Sequence, residues 1–288
     1  MKNLLLSMVA ALALAGCSSK VDFEIDNPTD TPLAISIDGK DLPVAAHASR
    51  PVSLAAGEHR LHTERLGEVR FIVYAGGHGG LINPSLSEYV TAREIYVTDD
   101  NKLKNFGVSG PGIELGGVEF KGPFEKQHGL FIEKTWNFGV HEAFPEEQLV
   151  AHVDSTGGRI STKIFTAPAF ITYVEAGMGE PGAYKREQPA GYVAPVFTLD
   201  TAPAALPTLD PVFEAHAGPL RDVYARWLKA TTASEQKALR KQDTQAQIAF
   251  TLATASLGAK LPVAANKAYN DFVTQRSTLM ARSALVLP

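Results

Sequence analysis

Apolar residues recur at every second position through much of the first two thirds of this sequence and at every third or fourth position in the last third. Leu33, Ile35 and Ile37 alternate with Ala34, Ser36 and Asp38, and Val69, Phe71 and Val73 alternate with Arg70, Ile72 and Tyr74. Successive strand side chains point to opposite faces, so this period of two marks strands. Further on, Leu220, Val223, Tyr224, Trp227 and Leu228 share one face of a helix. Pro195, Pro203, Pro207 and Pro211 stand between the two regimes. Each fixes its own φ and pushes the preceding residue out of the helical region, so the join is extended. The expectation is an α+β fold: an N-terminal antiparallel β-sandwich-like region, a further β-rich region, and a C-terminal group of about three helices.

Residues 22–75 read as a small β-sandwich module, because short strands alternate with turn signals at Asn27-Pro28-Thr29-Asp30, Asp38-Gly39-Lys40 and Ala55-Ala56-Gly57-Glu58. Residues 76–194 form the further β-rich region. Strands are expected over Tyr89–Val97, Val118–Phe120, Leu130–Val140, Leu149–Val153, Ile160–Thr166 and Ala169–Val174, with Gly157-Gly158 as a hairpin turn. Residues 195–211 are the Pro-rich linker and 212–288 the helical region. There Pro219 is expected in the first turn of one helix, Ser234 as the N-cap of a second that Gly258 stops, and Pro262 at the start of a third.

The N-terminus carries a different kind of information. After Met1-Lys2-Asn3, the run from Leu4 to Gly16 is uncharged and apolar for 13 residues, too short to span a bilayer, which takes about 20, and suited to a signal-peptide core. It ends in Leu14-Ala15-Gly16-Cys17 followed by Ser18-Ser19, and Cys17 is the single cysteine of the chain. This stretch resembles the lipobox of bacterial lipoproteins. The resemblance implies a lipoprotein signal peptide over residues 1–16, cleavage before Cys17, diacylation of its sulfur, acylation of the new amino group, and a tether over 17–21. With Ser18 rather than Asp after the cysteine, it also implies the periplasmic face of the outer membrane. Two or three acyl chains, at about 0.8 kcal/mol per buried methylene, hold a protein to a bilayer where one chain does so only marginally. The turns of residues 22–75, with Ile37-Asp38-Gly39-Lys40 and Pro51 to His59, are similar to those of PEGA-type sandwich modules of bacterial surface proteins. That similarity implies a structural or interaction module.

With 27 Lys and Arg against 31 Asp and Glu, the 288-residue chain has a net charge of -4, which argues against a broad nucleic-acid-binding face. Removing residues 1–16 takes away Lys2 and no acid, so the acyl chains and not the net charge would do the anchoring. One cysteine excludes an intramolecular disulfide framework and a Cys-cluster metal site.

The residues that could carry chemistry read more simply as structure. His59 and His62 are three apart on a strand and so face opposite ways. Gly76-Gly77-His78-Gly79-Gly80 has the look of an oxyanion loop, but no Gly-x-Ser-x-Gly elbow accompanies it and Gly107-Val108-Ser109-Gly110-Pro111 fails at its last position; it reads as a flexible loop, at most a binding edge. His141, Glu142, Glu146, Glu147 and His152 are close in sequence, but Pro145 breaks the segment and the helical His spacing of a zinc site is missing. Asp154-Ser155-Thr156-Gly157 reads as a turn, Trp136, Phe138 and Phe144 as core rather than a peptide or glycan platform, and Tyr224 and Trp227 as helix packing. The reading is a lipid-anchored protein with no catalytic centre, no cofactor and no metal, whose partners are the bilayer, through Cys17, and another envelope protein. Two sharper alternatives remain. An immunity- or inhibitor-type lipoprotein predicts a tight protein partner on an exposed loop or edge strand. An envelope-acting hydrolase predicts a concave pocket holding His78, His141 or His152 beside carboxylates.

Overall fold

The computed structural model describes residues 20–107, 110, 112–149 and 154–288; the signal segment, Cys17 and His152 lie outside it. The chain begins with β1 (Lys20–Asn27), β2 (Ile35–Ile37), β3 (Lys40–Asp41), β4 (Ala48–Ala55), β5 (Gly57–Thr63), β6 (Gly67–Val73) and β7 (Gly80–Ile82). There follow β8 (Tyr89–Val97), β9 (Ile113–Leu115), β10 (Val118–Phe120), β11 (Phe124–Gln127), β12 (Phe131–Glu133) and β13 (Gly158–Thr166). The helices are α1 (Ala167–Met178), α2 (Ala183–Glu187), α3 (Pro211–Trp227), α4 (Ala233–Thr254) and α5 (Val263–Ala281), and the chain closes with β14 (Ala284–Val286). The architecture is α+β.

Two sheets, ordered β12-β7-β1-β4 and β14-β6-β5-β2-β3, pack face to face. Their shared interior holds Ile25, Leu61, Phe71 and Ile82, all fully buried. β1 is antiparallel to β4 along its whole length, from Lys20↔Ala55 to Asn27↔Ala48, and parallel to β7. The turn signals act as their chemistry demands. Asp38 and Gly39 have φ of 52° and 75° and close the β2–β3 hairpin, the two successive positive φ values of a I′ turn. The Asn27 side chain holds the next turn, donating to the Val44 and Ala45 carbonyls and accepting from Thr29. The sandwich is not closed within residues 22–75, since β7, β12 and β14 from far along the chain complete its sheets.

The three expected C-terminal helices are α3, α4 and α5, and they form a third layer on the outer face of the β14-β6 side. The alternation in β6 explains why. Val69, Phe71 and Val73 face the sandwich interior, while Ile72 and Tyr74, on the other face, are equally buried, under Trp227, Phe250 and Phe272. The Tyr74 ring stacks on Trp227 at 4.0 Å and 5°. Gln236 of α4, fully buried, donates to the Val73 and Ala230 carbonyls and accepts from the Ala75 N–H. The Pro-rich stretch is extended, as expected, but packed: Phe197 and Leu199 lie against the sandwich core, and Ala202, Leu206 and Leu209 are buried with the helices.

A smaller lobe covers the outer face of the other sheet. β11, β8 and β13 form its three-stranded sheet, and β9 and β10 a hairpin. With α1 and α2 they enclose Val90, Phe120, Phe165 and Phe170. Leu81, Tyr89, Ile132, Trp136 and Ile164 join lobe to sandwich. Among the described residues no helix is long and apolar enough to cross a membrane.

Several expectations are corrected. Ala169–Val174 is helical, within α1: Thr166 caps its backbone, Pro168 sits in the first turn, and Gly179 ends it with φ of 69°. Pro219 lies inside α3, which starts eight residues earlier behind the Asp210 cap. Thr232, in a capping box with Glu235, caps α4 in place of Ser234. Leu130–Val140 is a strand only over β12, with Phe138 making an isolated bridge to Lys163. Gly157 is a turn residue, but β13 pairs with the distant β8 and so no hairpin forms there. Of Leu149–Val153, only Leu149 is described, and it is exposed coil. The glycines at 76–79 lie in the turn and coil between β6 and β7, and the last two of the run are packed on backbone: a Cβ on Gly79 would overlap the Asp22 carbonyl oxygen and one on Gly80 that of Ile132. Gly79 and Gly80 are the positions where the chain enters between β1 and β12.

Candidate functional site

The candidate site is a cleft of about 650 Å³ where the sandwich, the small lobe and the extended 192–197 stretch meet. Chain direction fixes its place. β1 runs from Lys20 to Asn27 and Pro28 lines the cleft; seven strand steps of about 3.3 Å separate the two ends of β1 by about 23 Å. β5 runs the same way, bringing Arg65, in the turn after it, to the same end, and β7, parallel to β1, delivers Ser85 and Leu86 there.

The floor of the cleft is rigid and strained. Leu86 is 3% exposed and adopts φ of 49°, a left-handed conformation that costs a branched side chain about 1 kcal/mol or more. Asn83 holds it there: its Oδ1 accepts from Ser85 Oγ and Ser87 N–H, and its Nδ2 donates to the Ser87 and Gly129 carbonyls. Arg65 donates to the Ser85 carbonyl from the opposite side. The walls are aromatic. Tyr184 covers Gly116, Tyr192 packs on Gly117, and Phe197 stacks with His128 at 5.1 Å. Gly116 and Gly117, with φ of 62° and 80°, turn the β9–β10 hairpin, and a Cβ on Gly116 would overlap the Tyr184 hydroxyl. Partial burial raises the Tyr184 phenol above its ordinary value. The Glu88 carboxylate and Arg65 give the apolar cleft two charged edges, Glu88 lying 3.5 Å from Lys126. Apolar walls with a few polar groups suit a peptide or another mostly apolar segment.

Beneath the small lobe lies a second polar cluster. Asp26 alternates onto the outer face of β1 with Asp22 and Glu24, which pair across to Ser53 and Ser49 of β4. Asp26, by contrast, is fully buried because the lobe covers it. Its Oδ1 is 2.8 Å from His141 Nε2, and its Oδ2 accepts from the Tyr89 hydroxyl at 2.5 Å. Burial and the neighbouring Asp26 carboxylate push the Tyr89 phenol far above its ordinary value. Close by, Lys163 is buried with its ammonium donating to the carbonyls of Gly139, Val140 and Glu142, and desolvation lowers its pKa. Together these groups fasten residues 139–142 and β8 to the sandwich.

The residues singled out in the sequence are dispersed. His59 bonds Asp38 and the Ala55 carbonyl and stacks on Phe71, while His62 is exposed on the other face of β5. His141 reaches Asp26 and not Glu146 or Glu147, and His152 lies outside the described residues. Asp154 accepts from the Thr156 N–H in a turn, Trp136 is buried, Phe138 and Phe144 are half-buried, and Tyr224 and Trp227 are core. Among the described residues no group of three His, Cys, Asp or Glu side chains is placed to hold a metal ion. Sequence reading missed the cleft because it is assembled from turns far apart in the chain; the Gly116-Gly117 pair, which was not singled out, is a signal that could have marked one of its turns. Searches against protein-family models, curated proteins and solved structures find no match to this chain.

Proposed function

We propose that this chain is an acylated cell-envelope lipoprotein, anchored through Cys17 at the periplasmic face of the outer membrane, with a non-enzymatic role: it holds an envelope protein partner in the aromatic cleft. The observation that carries this reading is the polarity of β1. Cys17 stands three residues before Lys20, so the acylated atom lies within about 10 Å of the start of the strand, while the cleft opens beyond its other end. An anchor at one end and a binding surface at the other suit a protein that presents a partner site away from the lipid.

Binding in the cleft is favoured over strand addition at a sheet edge. β4, at the edge of one sheet of the sandwich, carries Arg50 and Pro51, and β3, at the edge of the other, is two residues long. Proline, charge and shortness are the devices that stop edges from pairing. His141 stands beside a carboxylate, the fully buried Asp26, but it does not line the aromatic cleft and meets no nucleophile that it could activate there.

The test is a photo-crosslinking residue placed at Tyr192 in the cleft or at Lys40 on the β3 edge, in the full chain in its native envelope. The reading expects one protein adduct from position 192 and none from 40, lost when Ile171→Arg places a charge in the cleft. Adducts from position 40 alone, or adducts unaffected by Ile171→Arg, would contradict it.

A further inference from the structure

A second cleft, of about 340 Å³, lies at the opposite end of the molecule, between Gly76–His78 and the middle of α4. Arg240 reaches into it. Nothing among the described residues accepts a hydrogen bond from its guanidinium: Nε is buried without a partner, and the Trp227 ring lies 5.5 Å away. The carboxylate in the same cleft, Asp243, is committed to the buried Arg276. Arg240, partly exposed, thus presents a guanidinium without a carboxylate partner to a concave site. An anion that accepts from the terminal nitrogens of that fork would gain charge-assisted hydrogen bonds that no protein group supplies.

The surroundings fit an anion of phosphate size. The Arg240 fork passes 3.6 Å from where a Cβ on Gly76 would stand, and Gly76 has φ of 72°. Gly77 fits only without a Cβ, because one would lie 2.7 Å from Ser283 Oγ. Gly76 thus borders the guanidinium, Gly77 is packed against Ser283 behind it, and His78 and Thr244 are exposed on the rim. We infer that this cleft binds a phosphate group, with Arg240 as its principal ligand.

Its position suggests one source. Gly79, next to the cleft, abuts the carbonyl of Asp22. Asp22 is five residues after Cys17, at most about 18 Å of chain. If Cys17 is acylated as proposed above, the cleft lies within reach of lipid headgroups, and the phosphate is that of an anionic phospholipid. The anion site itself does not depend on acylation, and a free phosphate offers the same chemistry.

The test is calorimetric titration of the full-length protein in a neutral maltoside detergent with three probes: inorganic phosphate, short-chain phosphatidylglycerol and short-chain phosphatidylcholine. Saturable binding of phosphatidylglycerol, weakened about tenfold or more by Arg240→Gln, is the expected result, with phosphatidylcholine inert. Arg240→Lys should recover only part of the loss, because it restores charge without the fork. Thr244→Asp, an exposed substitution that leaves the Trp227 stack alone, should abolish binding even if Arg240→Gln fails to fold. Binding of inorganic phosphate with the same variant pattern would assign the site to a soluble anion. Absence of binding by any probe, or binding indifferent to Arg240→Gln and Thr244→Asp, would overturn the inference. Since acylation is read separately from the mass of the N-terminus, failure here is distinguishable from failure of the lipoprotein reading.

Discussion

At the scale of single residues, the joint between sheet and helices depends on Gln236. Its fully buried amide satisfies three backbone groups on two different segments, Val73 and Ala75 on one side and Ala230 on the other. Gln236→Leu keeps the approximate volume and removes all three bonds. Since each orphaned buried group costs about 1–3 kcal/mol, the loss should be about 3 kcal/mol or more in urea unfolding. A loss below about 1 kcal/mol would mean that the helices are held by apolar contact alone. Asp26 is the complementary case, a residue that strand alternation assigns to solvent. No local pattern marks it as buried, because what covers it, Tyr89 and His141, comes from segments more than sixty residues away.

At the scale of elements, the extended stretch after Pro195 is tied down by α3. Arg221 donates to the Leu206 and Pro207 carbonyls and to Glu214, whose other oxygen accepts from the Leu209 N–H. The Arg221 guanidinium, with the Leu209 N–H, holds the Glu214 carboxyl below its ordinary value of 4.5. A carboxyl lowered in the folded state adds stability that is full above the unfolded value and is lost as pH falls through the folded one. Glu214→Gln should therefore flatten the decline of the urea midpoint below about pH 4.5 and leave a small, pH-independent loss above it, small because the pair is partly solvated. An acid limb identical to that of the unaltered protein would show that the clamp contributes nothing.

The same scale shows what local sequence carries. Period-two alternation located β2 and β6, strand-forming runs marked β8 and β10, and Pro262 marked the start of α5, because those signals are written in neighbouring residues. Ala169–Val174 misled because β-branched and aromatic residues at 170–174 look strand-like, whereas the Thr166 cap and Pro168 decide for helix. Pro219 misled because its lost hydrogen bond is tolerated inside a helix whose other side is fully packed by Leu220, Val223 and Trp227. The Pro-rich stretch read as a connection, and its composition gave no sign that Ala202, Leu206 and Leu209 would be buried. None of the cleft was read from the sequence; Arg65, Leu86, Tyr192 and Phe197 meet there through topology, which no window of sequence contains.

At the scale of the whole molecule, β1 orders everything else. It lies between β4 and β7 in one sheet, carries the buried Asp26 toward the small lobe, and points from the proposed anchor toward the aromatic cleft. The Arg240 cleft and the Leu86 cleft sit at opposite ends of this axis, one near the start of β1 and one beyond its end. A lipid-proximal anion site and a lipid-distal partner site would together set the protein upright on the membrane.

That arrangement stands or falls on Cys17. The most direct measurement is the intact mass of the protein recovered from its native envelope, with Cys17→Ala alongside. The account predicts a chain beginning at Cys17 that carries a diacylglyceryl group and an amide-linked acyl chain, with neither processing nor acylation in Cys17→Ala. A chain cut elsewhere with a free Cys17 thiol, or the same mature mass from both forms apart from the substituted residue, would contradict it.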